Sequence, residues 1–321
     1  MSFLQSLSCL CKGERPAKRE DEIAQVSPDV MVFYEEETHT VSAVVRDPSS
    51  RKVAVIDSVM GFDYSSGSTS TKHADQIVEF IKRHGLELEW LLETHAHADH
   101  LSAAPYIQQQ LGGKIAIGEN IKLVQQTFAG VFGLGPDFQT DGSQFDKLFQ
   151  DGETFKIGGM PVAVLHTPGH TPACVCYHMG DAVFTGDTLF MPDYGTARCD
   201  FPGGSSKTLY QSIQKLLALP AETRVFVGHD YLPKGVRSEF AWETTIGEQR
   251  RNNIHVGSGK TEEDFVSMRE SRDAQLAVPK LLIPSVQLNI RAGRMPEPDA
   301  SGKAYIQVPI NVLSNRGTLN P

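Results

Sequence analysis

Thr94-His95-Ala96-His97-Ala98-Asp99-His100 is the densest run of metal-binding side chains in this chain of 321 residues. It places three imidazoles and one carboxylate in six consecutive positions, directly after the apolar, strand-like run Trp90-Leu91-Leu92. Imidazole nitrogens and carboxylate oxygens suit zinc, iron or manganese, and donors one or two residues apart on an irregular turn can converge on one or two ions. The run therefore predicts a metal site at the end of a β-strand.

Three further candidate ligands each follow a short β-branched or aromatic run. His170 comes after residues 162–165, Asp187 after residues 182–184, and His229 after residues 225–227. Such runs are typical of strands, so we predict that strand ends deliver these side chains to one rim of a sheet. A glycine close to each candidate ligand would let the backbone approach closely.

The combined pattern, HxHxDH followed by His170, Asp187 and His229, resembles the metallo-β-lactamase superfamily over residues from about 30 to about 255. The resemblance implies an α/β (α+β) fold, the four-layer αββα sandwich, with the metal at one edge of the two sheets. We accordingly expect a tail at residues 1–25, a catalytic domain at residues 26–255, and a C-terminal extension packed on the sandwich at residues 256–321.

Periodicity and turn signals place the other elements coarsely. The predicted strands are 30–34, 40–45, 53–56 and 115–117, and the predicted helices are 71–84, 101–111, 120–132, 205–218 and 261–272. Ser205 is a plausible N-cap for its helix. His73 and His84 fall outside the ligand pattern, so surface or capping roles are expected for both.

Composition narrows the class of function. The 40% hydrophobic content allows a large core, and the net charge of −9 argues against a nucleic-acid surface. Five cysteines do not suggest a disulfide framework, which favours a reducing compartment. We expect a cytoplasmic location, and a eukaryotic source would also allow the mitochondrial matrix. Residues 1–11 have neither the basic start of a signal peptide nor a span of roughly twenty apolar residues, so no membrane association is expected. Superfamily resemblance makes a homodimer plausible.

The sequence after Asp187 resembles that of the persulfide dioxygenase branch in the runs 194–201, 209–213, 229–231 and 244–252. Membership would imply one Fe(II) held by His95, His170 and Asp187, with His97 a possible additional ligand. The substrate would be glutathione persulfide or a related thiol persulfide, with O2 as oxidant. The implied catalytic groups are Asp99, His100, His229 and Tyr231, and the implied substrate contacts are Arg198 and Tyr231.

Alternatives remain at two levels. Arg198 could instead form an internal ion pair with Asp200 or Asp193, and Tyr231 could be a buried ring. For the whole protein, the main rival is a glyoxalase II-like thioester hydrolase with one or two zinc ions, because every ligand position for a binuclear centre is present. Against this rival, the chain after His229 shows no evident helical glutathione-binding domain with a basic cluster. A non-catalytic sensor would be excluded by metal-dependent turnover.

Overall fold

The computed structural model describes residues 26–313, and the predicted tail, with Cys9 and Cys11, lies outside the described residues. The strands in chain order are β1 (Asp29–Glu35), β2 (Thr40–Arg46), β3 (Lys52–Ile56), β4 (Val59–Asp63), β5 (Ser68–Ser70), β6 (Glu87–Leu92), β7 (Leu101–Ser102), β8 (Lys114–Gly118), β9 (Lys147–Phe149), β10 (Thr154–Ile157), β11 (Met160–His166), β12 (Val175–Met179), β13 (Ala182–Phe184), β14 (Arg224–Phe226) and β15 (Glu243–Thr245). The helices are α1 (Lys72–Arg83), α2 (Ala104–Leu111), α3 (Ile121–Phe132), α4 (Ser206–Leu217), α5 (Ile246–Asn252), α6 (Glu262–Asp273) and α7 (Leu282–Asn289).

Two six-stranded sheets carry most of these strands. The first has the order β1-β2-β3-β6-β8-β9 and the second the order β10-β11-β12-β13-β14-β15, while β5, β4 and β7 form a small third sheet. Strands β3, β6 and β8 run parallel, as do β13 and β14. Parallel pairing requires a long crossover connection, and each of these connections contains a helix.

The sheets pack face to face with helices outside them. Alternate residues of one strand face opposite layers: Ile56 packs between the sheets, whereas Val55 packs against the helical layer of α1, α2 and α3. On the far side, Val183 and Val225 of the second sheet pack against α4. The four-layer αββα sandwich expected from the sequence is therefore confirmed.

The C-terminal residues pack into both helical layers. Phe265 of α6 joins the cluster around α4, and Leu282 and Val286 of α7 join the cluster around α1 to α3. Pro284 lies in the first turn of α7, where its missing N–H leaves no intrahelical bond unmade. The division of the chain at residue 255 stays a prediction, but the segment beyond it contributes to the core.

Two local expectations were wrong. The helix predicted from Leu101 begins at Ala104, because Leu101 and Ser102 pair with β4 instead. His73 is only 8% exposed, so it is not a surface residue. Burial lowers the pKa of His73, which favours the neutral ring. His84, by contrast, is the C-cap residue of α1. Among the helices described, none has the length and apolar character of a membrane span.

Candidate metal centre

Strand ends deliver all the sequence-predicted ligands to one edge of the sandwich. The loop that carries His95, His97 and His100 follows β6, the loop with His170 joins β11 to β12, Asp187 follows β13, and His229 follows β14. The four imidazoles His95, His97, His100 and His229 are each no more than 2% exposed. The structure thus brings together side chains that lie far apart in the sequence.

These side chains form two adjacent groups, in each of which the potential ligand atoms lie within 4.8 Å of one another. One group, the three-residue cluster, is His95, His170 and Asp187, and the other, the four-residue cluster, is His97, Asp99, His100 and His229. Asp187 lies between them, since its Oδ2 is 3.6 Å from His170 Nε2 and its Oδ1 is 3.3 Å from His229 Nε2.

The hydrogen bonds of the His170 and His229 rings leave their Nε2 atoms available to a metal. His170 Nδ1 donates to the carbonyl of Arg198 at 2.7 Å, and His229 Nδ1 donates to the carbonyl of His39 at 3.2 Å. A carbonyl only accepts, so the proton is on Nδ1 and the Nε2 lone pair faces the cluster. Of these, His229 Nε2 is buried and makes no hydrogen bond among the described residues, as is true of His95 Nε2 and His100 Nε2. The donor set therefore fits a metal ion.

His97 is held in the opposite orientation by two buried carboxylates. Its Nε2 lies 3.0 Å from Asp57 Oδ1 and 3.2 Å from Glu93 Oε2, which leaves Nδ1 without a partner among residues 26–313. Asp57 also accepts hydrogen bonds from the backbone N–H and hydroxyl of Thr94, and Glu93 accepts one from Ser102. Sequence reasoning missed Asp57 and Glu93; the only signal was an acidic residue directly after a predicted strand.

Burial and neighbouring charges set the protonation of these groups. Burial, together with the other imidazoles, lowers the pKa of His95 well below its usual value and that of His100 to about 3, so both favour the neutral form that binds metals. Burial would also lower the pKa of His97, but the charges of Asp57 and Glu93 outweigh it and raise the pKa of His97 well above normal. Asp99 and Asp187 likewise raise the pKa of His229 against the effect of burial.

Glycines let the ligand loops approach one another, as the sequence predicted. A Cβ on Gly228 would lie 3.0 Å from Asp187 Oδ1 and 2.9 Å from the carbonyl carbon of Gly186. Gly186 has a φ of +47°, and a Cβ there would lie 2.4 Å from Thr94 Oγ1. Side chains at either position would push apart the loops that present Asp187 and His95.

A cleft of about 850 Å³ opens over the metal ligands. His170, Asp187 and Asp99 line it, together with the predicted substrate and catalytic residue Tyr231. The Tyr231 ring stacks on His229 with a centroid distance of 5.6 Å. Burial, reinforced by the charges of Asp99 and Asp187, raises the pKa of Tyr231 well above normal, so its hydroxyl keeps its proton.

Arg198 also lines the cleft, but its guanidinium is engaged within the protein. It pairs with both oxygens of Asp200 at 2.5 and 2.6 Å and donates to the carbonyl of Ala277 at 2.7 Å. Of the two internal ion pairs considered from the sequence, the one with Asp200 forms, whereas Asp193 pairs with Arg237. The role of Arg198 as a substrate contact stays a prediction.

Helix α6, which lies beyond residue 255, holds the loop that contains Arg198. Arg269 and Asp273 form a buried ion pair of 2.6 Å. Asp273 accepts the backbone N–H of Cys199 at 2.8 Å, and Arg269 donates to the carbonyl of Thr196 at 3.2 Å. Because the Arg198 carbonyl orients His170, this helix indirectly supports one candidate ligand.

The model of the metallo-beta-lactamase superfamily matches residues 36–229, which contain every candidate ligand. The chain belongs to this superfamily. The resemblance that the metal motifs suggested is therefore confirmed, and with it the general fold.

Relatives of this chain within the superfamily carry names that refer to different activities. A protein from Dictyostelium discoideum named glyoxylase B2 is 50% identical over 286 residues, which cover 88% of this chain and 97% of that protein. The mouse protein named mitochondrial persulfide dioxygenase ETHE1 is 27% identical over 264 residues, covering 81% of this chain and 87% of that one. The crystal structure of ETHE1 from Myxococcus xanthus matches with a TM-score of 0.66 and 27% identity, covering 83% of this chain and all of that one. The similarity to the persulfide dioxygenase branch is thus confirmed.

Proposed function

We propose that this protein is a mononuclear non-haem iron dioxygenase that oxidises glutathione persulfide, or a related low-molecular-weight persulfide, to sulfite and thiol. In balanced form, RSSH + O2 + H2O gives RSH + H2SO3. Both atoms of dioxygen go to the terminal sulfur, and water then cleaves the sulfur–sulfur bond. The likeness to ETHE1 proteins in sequence and in structure supports this branch.

One observation carries the proposal: two imidazoles and one carboxylate converge where the cleft reaches the metal centre. His170 and Asp187 line the cleft, and His95 Nε2 lies 3.8 Å from Asp187 Oδ2. A set of two histidines and one carboxylate is typical of iron oxygenases, since it leaves positions open for oxygen and substrate. When bound, ferrous iron would supply the one-electron chemistry that lets dioxygen react with a closed-shell persulfide.

The protein's own groups would orient the substrate and manage its protons. Asp99, His100 and His229 lie next to the ligand set, and Asp99 Oδ2 is 3.2 Å from His229 Nε2. This pair can hold or move the proton of the water that releases sulfite. Tyr231, which keeps its hydroxyl proton, can donate a hydrogen bond to an anionic persulfide or sulfinate.

The charges that line the cleft suit a substrate that carries both carboxylates and an ammonium group, as glutathione does. Arg272 and Lys280 come from the C-terminal segment, and neither forms an ion pair with a carboxylate among residues 26–313. Glu37 and Asp63 line the same cleft. Arg272 and Lys280 therefore join Arg198 as proposed contacts for the carboxylates. The location in the cytoplasm or mitochondrial matrix and the possible homodimer stay predictions.

The test combines metal content with oxygen uptake. Elemental analysis of protein grown without added metal should find about one iron per chain, and glutathione persulfide should trigger oxygen consumption with sulfite formed in equal amount. Iron-loaded protein that consumes no oxygen with this substrate would refute the proposal.

A binuclear zinc thioester hydrolase is the second candidate, and the position of Asp187 favours it specifically. Its two oxygens face the two clusters, as a carboxylate that bridges two ions would. The name of the glyoxylase B2 relative points the same way. About two zinc ions per chain, no oxygen uptake and hydrolysis of a glutathione thioester would establish this candidate.

A further inference from the structure

Asn289, the last residue of α7, bonds directly to the backbone of the ligand loop. It is 4% exposed. Its side-chain nitrogen donates to the carbonyls of His97 and His100, both at 2.8 Å, and its side-chain oxygen accepts the backbone N–H of Ser102 at 2.9 Å. Both donors and the acceptor of the amide are therefore used on one loop, between residues 97 and 102.

The loop needs such support because it has no regular secondary structure of its own between β6 and β7. The carbonyls of His97 and His100 belong to the peptide units that follow these two residues. Fixing both peptide units restrains the directions in which the His97 and His100 side chains leave the backbone. The free atoms His97 Nδ1 and His100 Nε2 depend on those directions.

We propose that Asn289 is a positioning residue for the metal centre. Through its amide, the C-terminal helix α7 holds the loop of residues 97–102 in the conformation that presents the metal-binding atoms. The proposal applies to iron and to zinc alike, because it concerns the backbone of the loop and not the identity of the ion. The C-terminal segment then contributes to the structure of the metal site.

Gln287 on the same helix provides a matched control. It is 1% exposed, its side-chain nitrogen donates to the carbonyls of Ile283 and Gln307, and its oxygen accepts the backbone N–H of Gln307, all at 2.9 Å. The pattern of two donated bonds and one accepted bond is the same as that of Asn289. None of these bonds reaches a candidate ligand.

The experiment compares Asn289→Asp with Gln287→Glu in the full-length chain. Each change keeps the side-chain shape and removes both donors, so each should lower the melting temperature of the metal-free protein. Affinity for Co(II) is measured by competition with a chelator, and the absorption bands of the Co(II) protein report ligand geometry. We expect Asn289→Asp to weaken Co(II) affinity about 10-fold or more and to change the bands, because it disturbs the support of ligating groups. Gln287→Glu should leave both unchanged.

Wild-type affinity and spectrum in Asn289→Asp, or equal changes in Gln287→Glu, would overturn the proposal. If Asn289→Asp does not fold, Asn289→Ser and Gln287→Ser are compared in the same way, since each leaves room for a bridging water. Equal Co(II) affinities in the two serine variants would again refute a positioning role for Asn289.

Discussion

The three-residue cluster and the four-residue cluster lie side by side but differ in access to the cleft. Two members of the first, His170 and Asp187, line the cleft, whereas Asp99 is the one member of the second that does. They also differ at one imidazole. His170 and His229, one in each cluster, donate to neutral carbonyls, whereas His97 of the four-residue cluster is tied to the buried carboxylates of Asp57 and Glu93.

The same types of side chain therefore lie in different surroundings in the two clusters. The three-residue cluster combines two imidazoles and one carboxylate with access for substrate. The four-residue cluster is backed by buried carboxylates that attract protons and positive charge. In the proposed dioxygenase, the first cluster holds the iron and the second supports it, whereas a binuclear hydrolase would use both clusters for metal.

Replacing a ligand of the three-residue cluster should have the largest effect. We expect His170→Ala to lose iron and at least about 1,000-fold in oxygen uptake, since the metal supplies several kcal/mol of transition-state stabilisation. Iron per chain and initial rates measure this. His84→Ala is the control, because His84 is the C-cap residue of α1 and belongs to neither cluster. One iron per chain and near-normal rates in His170→Ala would contradict the assignment of the iron to the three-residue cluster.

A change in the four-residue cluster should separate catalysis from metal content. For His229→Ala we expect about one iron per chain, as in the parent protein, and a kcat about 100-fold lower, because a group that can move a proton next to the substrate is lost. Elemental analysis and steady-state rates give both numbers. If the parent protein binds two ions and this variant only one, the second cluster is a metal site and the hydrolase is favoured.

The carboxylate behind His97 should have a moderate effect. Asp57 has a φ of 50°, a conformation that Asn also tolerates, so Asp57→Asn tests its charge and not its backbone. We expect metal affinity to fall about 10-fold, because the carboxylate that fixes the His97 tautomer becomes a neutral amide. Chelator competition measures the change, with Asp47→Asn as the control, since Asp47 is also buried but belongs to neither cluster nor the cleft. Unchanged affinity would show that Asp57 does not act through His97.

The sequence predicts the ligand positions because each lies in the loop that follows an apolar strand, and strand ends gather at one edge of a sheet. The same logic fails for residues that contact the ligand loop but lie far from it in the sequence. Asn289 is 189 residues from His100, and nothing in its local sequence distinguishes it from any other polar residue near a helix end. His73 was misplaced because its environment comes from tertiary packing, which periodicity does not reveal.

The engaged guanidinium of Arg198 illustrates the same limit for substrate contacts. The sequence leaves open whether Arg198 pairs with Asp200 or with Asp193, and only the fold shows that Asp200 and the distant carbonyl of Ala277 accept its hydrogen bonds. Cations from the C-terminal segment, far along the chain, also line the cleft. The sequence after His229 shows no evident helical glutathione-binding domain with a basic cluster, and only the fold reveals that Arg272 and Lys280 line the same cleft as the candidate ligands.

The smallest effect is expected at the exposed wall of the cleft, where Arg272 offers an unpaired charge. Arg272→Ala should raise KM for glutathione persulfide about 3-fold and leave kcat and iron content unchanged, because an exposed ionic contact contributes little and is screened by salt. The rise in KM should shrink at high ionic strength. Lys156→Ala, an exposed cation outside the cleft, is the control. A fall in kcat with unchanged KM would mean that Arg272 acts through the conformation of the protein and not by contact with the substrate. Arg198 and Tyr231 would then remain as the proposed substrate contacts.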